Sequence, residues 1–136
     1  MHADARLALI ILAVSDLPRA VTFYSAAFGW PQVVDVPVYA EFTLPGGQRL
    51  GLYQREGFGV NTGQVPFRVP DGELSSVEIY FYTDDVPAII AQLEAAGARQ
   101  LSTLILRDWG DEAAYYADPD GNVLVVARHI RSPRIP

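Results

Sequence analysis

A chain of 136 residues, half of them hydrophobic and carrying a net charge of −6, can bury one compact core and is too apolar to stay disordered. The acidic balance argues against nucleic acid as a partner, and no apolar run approaches the ~20 residues a membrane span needs. Cysteine and lysine are both absent, which excludes disulfides, thiolate nucleophiles, zinc–thiolate sites and lysine Schiff bases.

Leu7 to Val14 reads as a strand buried on both faces. Asp4 and Arg6 before it, and Asp16 and Pro18 after it, suit a strand better than a signal peptide, so a cytoplasmic protein is expected. Asp16 then caps a helix with Pro18 in its first turn. Leu17, Ala20, Val21, Tyr24, Ala27 and Phe28 form one apolar stripe, and Gly29 ends the helix. Strands are expected at Gln32–Val36, Ala40–Leu44 and Arg49–Gln54, punctuated by Pro37 and Pro45-Gly46-Gly47. Arg55 to Glu73 is rich in glycine, has no periodicity and reads as a connecting loop.

The order then repeats. Ser75–Tyr82 reads as a strand, Asp85-Val86-Pro87 restates the helix start, Ala88–Ala96 is helical, and Gly97 ends it. Strands follow at Gln100–Leu106, Asp111–Ala117 and Asn122–Arg128, the last two joined by Asp118-Pro119-Asp120-Gly121-Asn122. There Pro119 presets one turn position, Gly121 permits positive φ, and the aspartates bond nearby backbone N–H groups. The chain is thus one α+β domain of two β-α-β-β-β units, 7–54 and 74–128, joined by 55–73. His2 and His129 read as exposed tail residues, and the stretch from His129 to Pro136 as a fraying end.

Ser15, Asp16, Leu17, Ala20, Phe23, Tyr24, Phe28, Gly29 and Trp30, with the late Asp118 to Asn122, resemble the glyoxalase/bleomycin-resistance/dioxygenase family, the vicinal oxygen chelate superfamily. The resemblance spans about Leu7 to Arg128. It implies two βαβββ repeats in a curved mixed sheet with a concave cleft, and pairing as a homodimer. It leaves the reaction open, because the family includes isomerases, dioxygenases, thiol transferases and metal-free drug binders.

In the family's metalloenzymes each unit supplies two ligands, from its first and last strands. The matching positions here are Leu9, Gly51, Glu78 and Val125, of which one can bind a metal. A lone carboxylate among apolar walls holds a divalent ion barely better than water does. Sliding a strand by two residues offers Leu7 or Ile11, Arg49 or Tyr53, and Val123 or Ala127, none of which rescues a site. No metal and no cofactor are therefore expected.

Strand alternation sends Val77, Ile79, Phe81, Phe42 and Leu44 toward the helices. Ser76, Glu78, Tyr80, Tyr82, Tyr39, Glu41, Thr43, Arg49, Gly51 and Tyr53 are left facing the cleft, with Gly51 giving room for a ligand. The expected ligand contacts are Tyr39, Glu41, Arg49, Tyr53, Glu78, Tyr80, Tyr82 and Trp109, around an aromatic or cationic small molecule. Glu78 is either such a contact or half of an ion pair with Arg49 or another arginine. The tyrosines either touch ligand or pack in the core, and Trp109 lies either at the cleft mouth or in simple packing. The leading expectation is a metal-free small-molecule-binding protein. The alternatives are an enzyme, with atypical ligands such as Glu41, Glu56 or Glu112 beside Glu78 or with Glu78 as a metal-free base, and a sensing or partner-binding module without chemistry.

Overall fold

In the computed structural model, which describes residues 1–131, the chain forms two compact units. The first, Met1–Val21 with Gly29–Arg68, holds β1 (Ile10–Val14), the start of α1 (Leu17–Phe28), β2 (Gln32–Val36), β3 (Tyr39–Thr43), β4 (Arg49–Gln54) and α2 (Arg55–Thr62). The second, Val69 onward together with Thr22–Phe28, holds β5 (Glu78–Tyr82), α3 (Val86–Ala95), β6 (Arg99–Leu106), β7 (Asp111–Ala117) and β8 (Val123–His129). The two sheets have the same topology, β1-β4-β3-β2 and β5-β8-β7-β6. In each, the first strand lies parallel to the last and the other neighbours are antiparallel. This is the expected pair of βαβββ repeats in an α+β fold.

The helix starts follow their capping chemistry. Asp16 Oδ1 accepts the backbone N–H of Arg19 and Asp85 Oδ1 that of Ala88, each at 3.1 Å. Gly29 and Gly97 take positive φ beyond the helix ends. In the first unit Leu12, Val14, Trp30, Phe42, Leu50 and Leu52 form the buried side of the sheet. In the second, Leu124, Val126, Ala114 and Tyr116 are buried with Phe23, Tyr24 and Ala27 of α1 and Leu93 of α3.

Three departures from the sequence reading have physical causes. β1 begins at Ile10, and Leu7 is exposed rather than buried on both faces; β4 starts at Arg49 and its register pairs Leu50 with Ile10, so earlier residues have no partner strand. The expected loop 55–73 opens with the two-turn helix α2, ended by Gly63 at φ 80°. Its glycines, which read as loop markers, are where the helix comes close to its neighbours: a Cβ on Gly57 would sit 2.7 Å from the Tyr53 ring, and one on Gly59 2.6 Å from Val65. Finally, β8 runs through His129, and the N–H groups of Ile130 and Arg131 donate to the Gly110 carbonyl, so these residues do not fray. The rest of the expected tail, 132–136, lies outside the described residues.

Gly121 tests the turn. Its φ is +80° and an added Cβ would lie 2.5 Å from the Glu73 carbonyl oxygen, whereas Gly97 at φ +89° has open space. Gly97→Ala is expected to cost about 1–2 kcal/mol from left-handed backbone strain. Gly121→Ala should cost clearly more, because a backbone atom blocks it. Equilibrium urea unfolding of both variants measures the difference.

Candidate functional site

The sheet registers define one polar, aromatic face on each unit. In the first unit Tyr39 is paired with Tyr53, Glu41 with Gly51, and Thr43 with Arg49, so all six share a face. Tyr39 Oη donates to Glu41 Oε1 at 2.6 Å, and Arg49 Nη1 donates to Glu41 Oε2 at 2.9 Å. Burial first, then the bond to Glu41, pushes the Tyr39 phenol far above its usual value. The Tyr39 and Tyr53 rings lie 5.1 Å apart, Phe58 of α2 meets Tyr53 edge-on at 6.3 Å, and Asn61 donates to the Tyr53 hydroxyl. The expected room at Gly51 is taken: the Tyr39 hydroxyl occupies the space where a Cβ would project.

In the second unit Tyr80 is paired with Val125, Tyr82 with Ala127, Tyr115 with Val125, and Asp111 with His129. Val125, Ala127 and Ala113 form a buried apolar floor, with Tyr80, Tyr115 and Val123 packed against it. At one end of this face is Asp111, 1% exposed. Its Oδ2 accepts the hydroxyls of Tyr80 at 2.6 Å and Tyr82 at 2.8 Å, and its Oδ1 lies 3.0 Å from His129 Nδ1. The Trp109 indole N–H donates to the Tyr80 hydroxyl at 2.8 Å. Burial pushes the Asp111 carboxyl up, but the donors Tyr80, His129 and Tyr82 outweigh it and hold the carboxyl below its ordinary value. Tyr80, raised by burial and by its bond to Asp111, is pushed up to about 12.

At the other end Glu78 is exposed at the start of β5. Arg49, one of the arginines considered as its partner, is bound to Glu41. The Glu78 charge, after burial, raises the Tyr115 phenol. The Arg107 guanidinium lies over the Tyr115 ring at 4.9 Å, with its N–H groups on Ser102 Oγ and the carbonyls of Thr103 and Ala113.

The donors for a family-type metal do not come together. Val125 is fully buried in the floor, Gly51 is covered by Tyr39, and Leu9 precedes β1. Glu41 is held by Tyr39 and Arg49, Glu56 by Gln54 and Arg55, and Glu112 by Arg128. Among the described residues no group of three His, Asp or Glu side chains is arranged to hold a metal. The residues present do not fit the divalent ion that the family's metalloenzymes use.

Tyr39, Glu41, Arg49 and Tyr53 thus meet on the first face, and Tyr80, Tyr82 and Trp109 meet around a buried carboxylate on the second. Asp111 and His129 were not anticipated as site residues. The signal was in the sequence: they stand seven residues before Asp118 and seven after Asn122, so an antiparallel pair closed by that turn sets them opposite each other.

The chain belongs to the family of glyoxalase-like domains, whose model matches residues 9–127. Among solved structures it is similar to a glyoxalase-related enzyme from Fulvimarina pelagi, with a TM-score of 0.80 at 23% identity over 91% of this chain and 88% of that one. A glyoxalase/bleomycin resistance protein/dioxygenase from Nocardioides gives 0.80 at 18% identity, over 99% and 92% of the two chains. A protein of the same description from Burkholderia phytofirmans gives 0.79 at 19%, over 93% and 100%. At these identities the similarity shows the fold alone. No curated protein sequence matches the chain. Among the described residues no helix is long and apolar enough to cross a membrane.

Asp111 ties its cluster to pH. Its folded carboxyl is held below the ordinary value, so the stabilisation is complete above the unfolded carboxylate's titration and is lost as pH falls through the folded one. Asp111→Asn is expected to cost about 2 kcal/mol near neutral pH, as for a hydrogen-bonded buried charge, and the gap to wild type should close on acidification. Urea midpoints measured from neutral to acid pH check this.

Proposed function

We propose that this glyoxalase-like protein binds a small aromatic or cationic compound without a metal ion. The observation that carries the reading is Glu78: an exposed carboxylate with no hydrogen bond or ion pair among the described residues, on a face walled by Tyr80 and Tyr115. A cation there would gain a charge partner and the ring of Tyr80, the face of Tyr115 being held by Arg107. The unfit donor set at Leu9, Gly51 and Val125 supports a site that works without metal. The phenols of the first unit, with Glu41 and Arg49 already paired, offer a second stacking surface of lower net charge.

A second copy of the chain is the partner this reading adopts. Val33 and Val36 on the edge strand β2, with Val38 and Phe67, expose apolar side chains, and such an edge is ordinarily covered. A cytoplasmic setting fits a chain without cysteine.

The reading is tested by titrating the protein with a cationic aromatic dye such as ethidium and following fluorescence, with and without EDTA. Binding should survive EDTA, and Glu78→Gln should weaken it about tenfold, the equivalent of ~1.4 kcal/mol. Stoichiometric metal in the purified protein, lost together with function on chelation, would reject the metal-free reading. Native mass spectrometry of the same sample should give a dimer; a strict monomer would remove the second copy from the proposal. The enzyme reading with Glu78 as base is favoured instead if turnover vanishes in Glu78→Gln while the fold persists, but nothing among the described residues orients that carboxylate.

A further inference from the structure

A base needs a group that fixes its direction, and in the second unit the side chain so held is His129. We propose that His129 and Asp111 form a general-base dyad that hydrolyses small activated esters in the open pocket of about 460 Å³ lined by Tyr82, Thr83, Asp84, Arg128 and His129. This does not rest on the ligand-binding reading above, which concerns Glu78 and the opposite end of the face.

The protonation pattern follows from the partners. An ionised carboxylate only accepts hydrogen bonds. Asp111 takes two from the Tyr80 and Tyr82 hydroxyls at Oδ2, so the proton between Oδ1 and His129 belongs to Nδ1. The lone pair of the neutral ring is then at Nε2, on the edge of a side chain that is 55% exposed and lines the pocket. Asp111 cannot turn away, because two phenols hold it and Trp109 in turn donates to Tyr80. A buried carboxylate that orients a half-exposed imidazole is the arrangement that makes a histidine an efficient base.

Arg128, the preceding residue on β8, alternates to the other face of the sheet from His129 and gives Nε and Nη2 to Glu112, so the developing negative charge is left to solvent in the open pocket. The exposed ring of Tyr82 is a flat wall for an acyl or aryl group.

In the reaction Nε2 takes a proton from water as the water oxygen bonds to the acyl carbon, and the carbonyl electron pair moves to oxygen, which solvent in the open pocket stabilises. Collapse of this intermediate breaks the bond to the leaving oxygen, which takes the proton from Nε2. Ester and water become acid and alcohol, and no other reactant is consumed.

The test is hydrolysis of p-nitrophenyl acetate by the full chain, read as release of p-nitrophenolate above the buffer rate. His129→Gln should lose about a hundredfold of that rate, the usual contribution of a general base. His2→Gln, which removes the only other imidazole, should leave it unchanged. Asp111→Asn should lower the rate per folded molecule, with the folded fraction read by circular dichroism; a loss only in proportion to unfolding would overturn its place in the dyad. Equal losses from the two histidine variants, or none from His129→Gln, would overturn the proposal, since His129 would then be an ordinary surface imidazole. An acetyl adduct accumulating on His129 would overturn the base role in favour of a nucleophile. His129 is half-exposed at a strand end, so its variant is expected to fold, and circular dichroism verifies that it has.

Discussion

The carboxylate of Asp118 is the interaction on which the second unit depends. It lies buried in the turn between β7 and β8 and accepts four hydrogen bonds. Oδ1 takes the backbone N–H groups of Asp120 at 2.9 Å and Asn122 at 2.8 Å. Oδ2 takes the Tyr24 hydroxyl at 2.5 Å and the Asn122 side-chain amide at 3.0 Å. Burial raises this carboxyl even against donors from Tyr24 and Asn122, so its partners offset only part of the cost of burying the charge. Ser75 extends the network by donating to Asn122 Oδ1 and, through its N–H, to the Gly121 carbonyl. One side chain therefore fixes the turn, the helix that covers the sheet and the approach to β5.

That turn sets the register, and the register sets the chemistry. A slip of one residue in an antiparallel pair turns every side chain to the opposite face. With Asp118 and Asn122 closing the loop, Ala117 meets Val123, Tyr115 meets Val125, and Asp111 meets His129 at the far end. Tyr80 and Tyr82 reach Asp111 because β5 runs parallel to β8, with Tyr80 beside Val125 and Tyr82 beside Ala127.

Much of this was readable in the sequence because it is local. Asp16, Asp85, Gly29, Gly97 and the Asp118–Asn122 turn each carry their own mechanism, and period-two alternation assigned Ile79 and Phe81 to one side and Tyr80 and Tyr82 to the other. What could not be read depends on neighbours distant in the chain. Leu7 looks buried until β4 is seen to start too late to cover it. Gly57 and Gly59 look like loop residues until Tyr53 and Val65 are seen against them. Gly51 looks vacant until Tyr39, across the sheet, is found in the space. His129 looks like a tail residue because the sequence does not say how long β8 is, and its length is set by pairing with β7. The two repeats share a topology but differ at Gly51 and Val125, with a phenol over glycine in one and a valine under two tyrosines in the other.

Residues 22–28 lie within the first repeat of the sequence yet belong to the second folded unit. There Tyr24 meets Asp118, Phe28 packs on Phe81 at 4.9 Å, and the Ala27 carbonyl accepts from Gln92. Severing the chain in the 55–73 segment would thus not yield two half-proteins. The C-terminal piece would keep a carboxylate built for burial with no phenol to meet it, and a sheet covered by α3 alone. The second sheet thus takes part of its cover, and its buried carboxylate one of its donors, from a helix that the first repeat encodes.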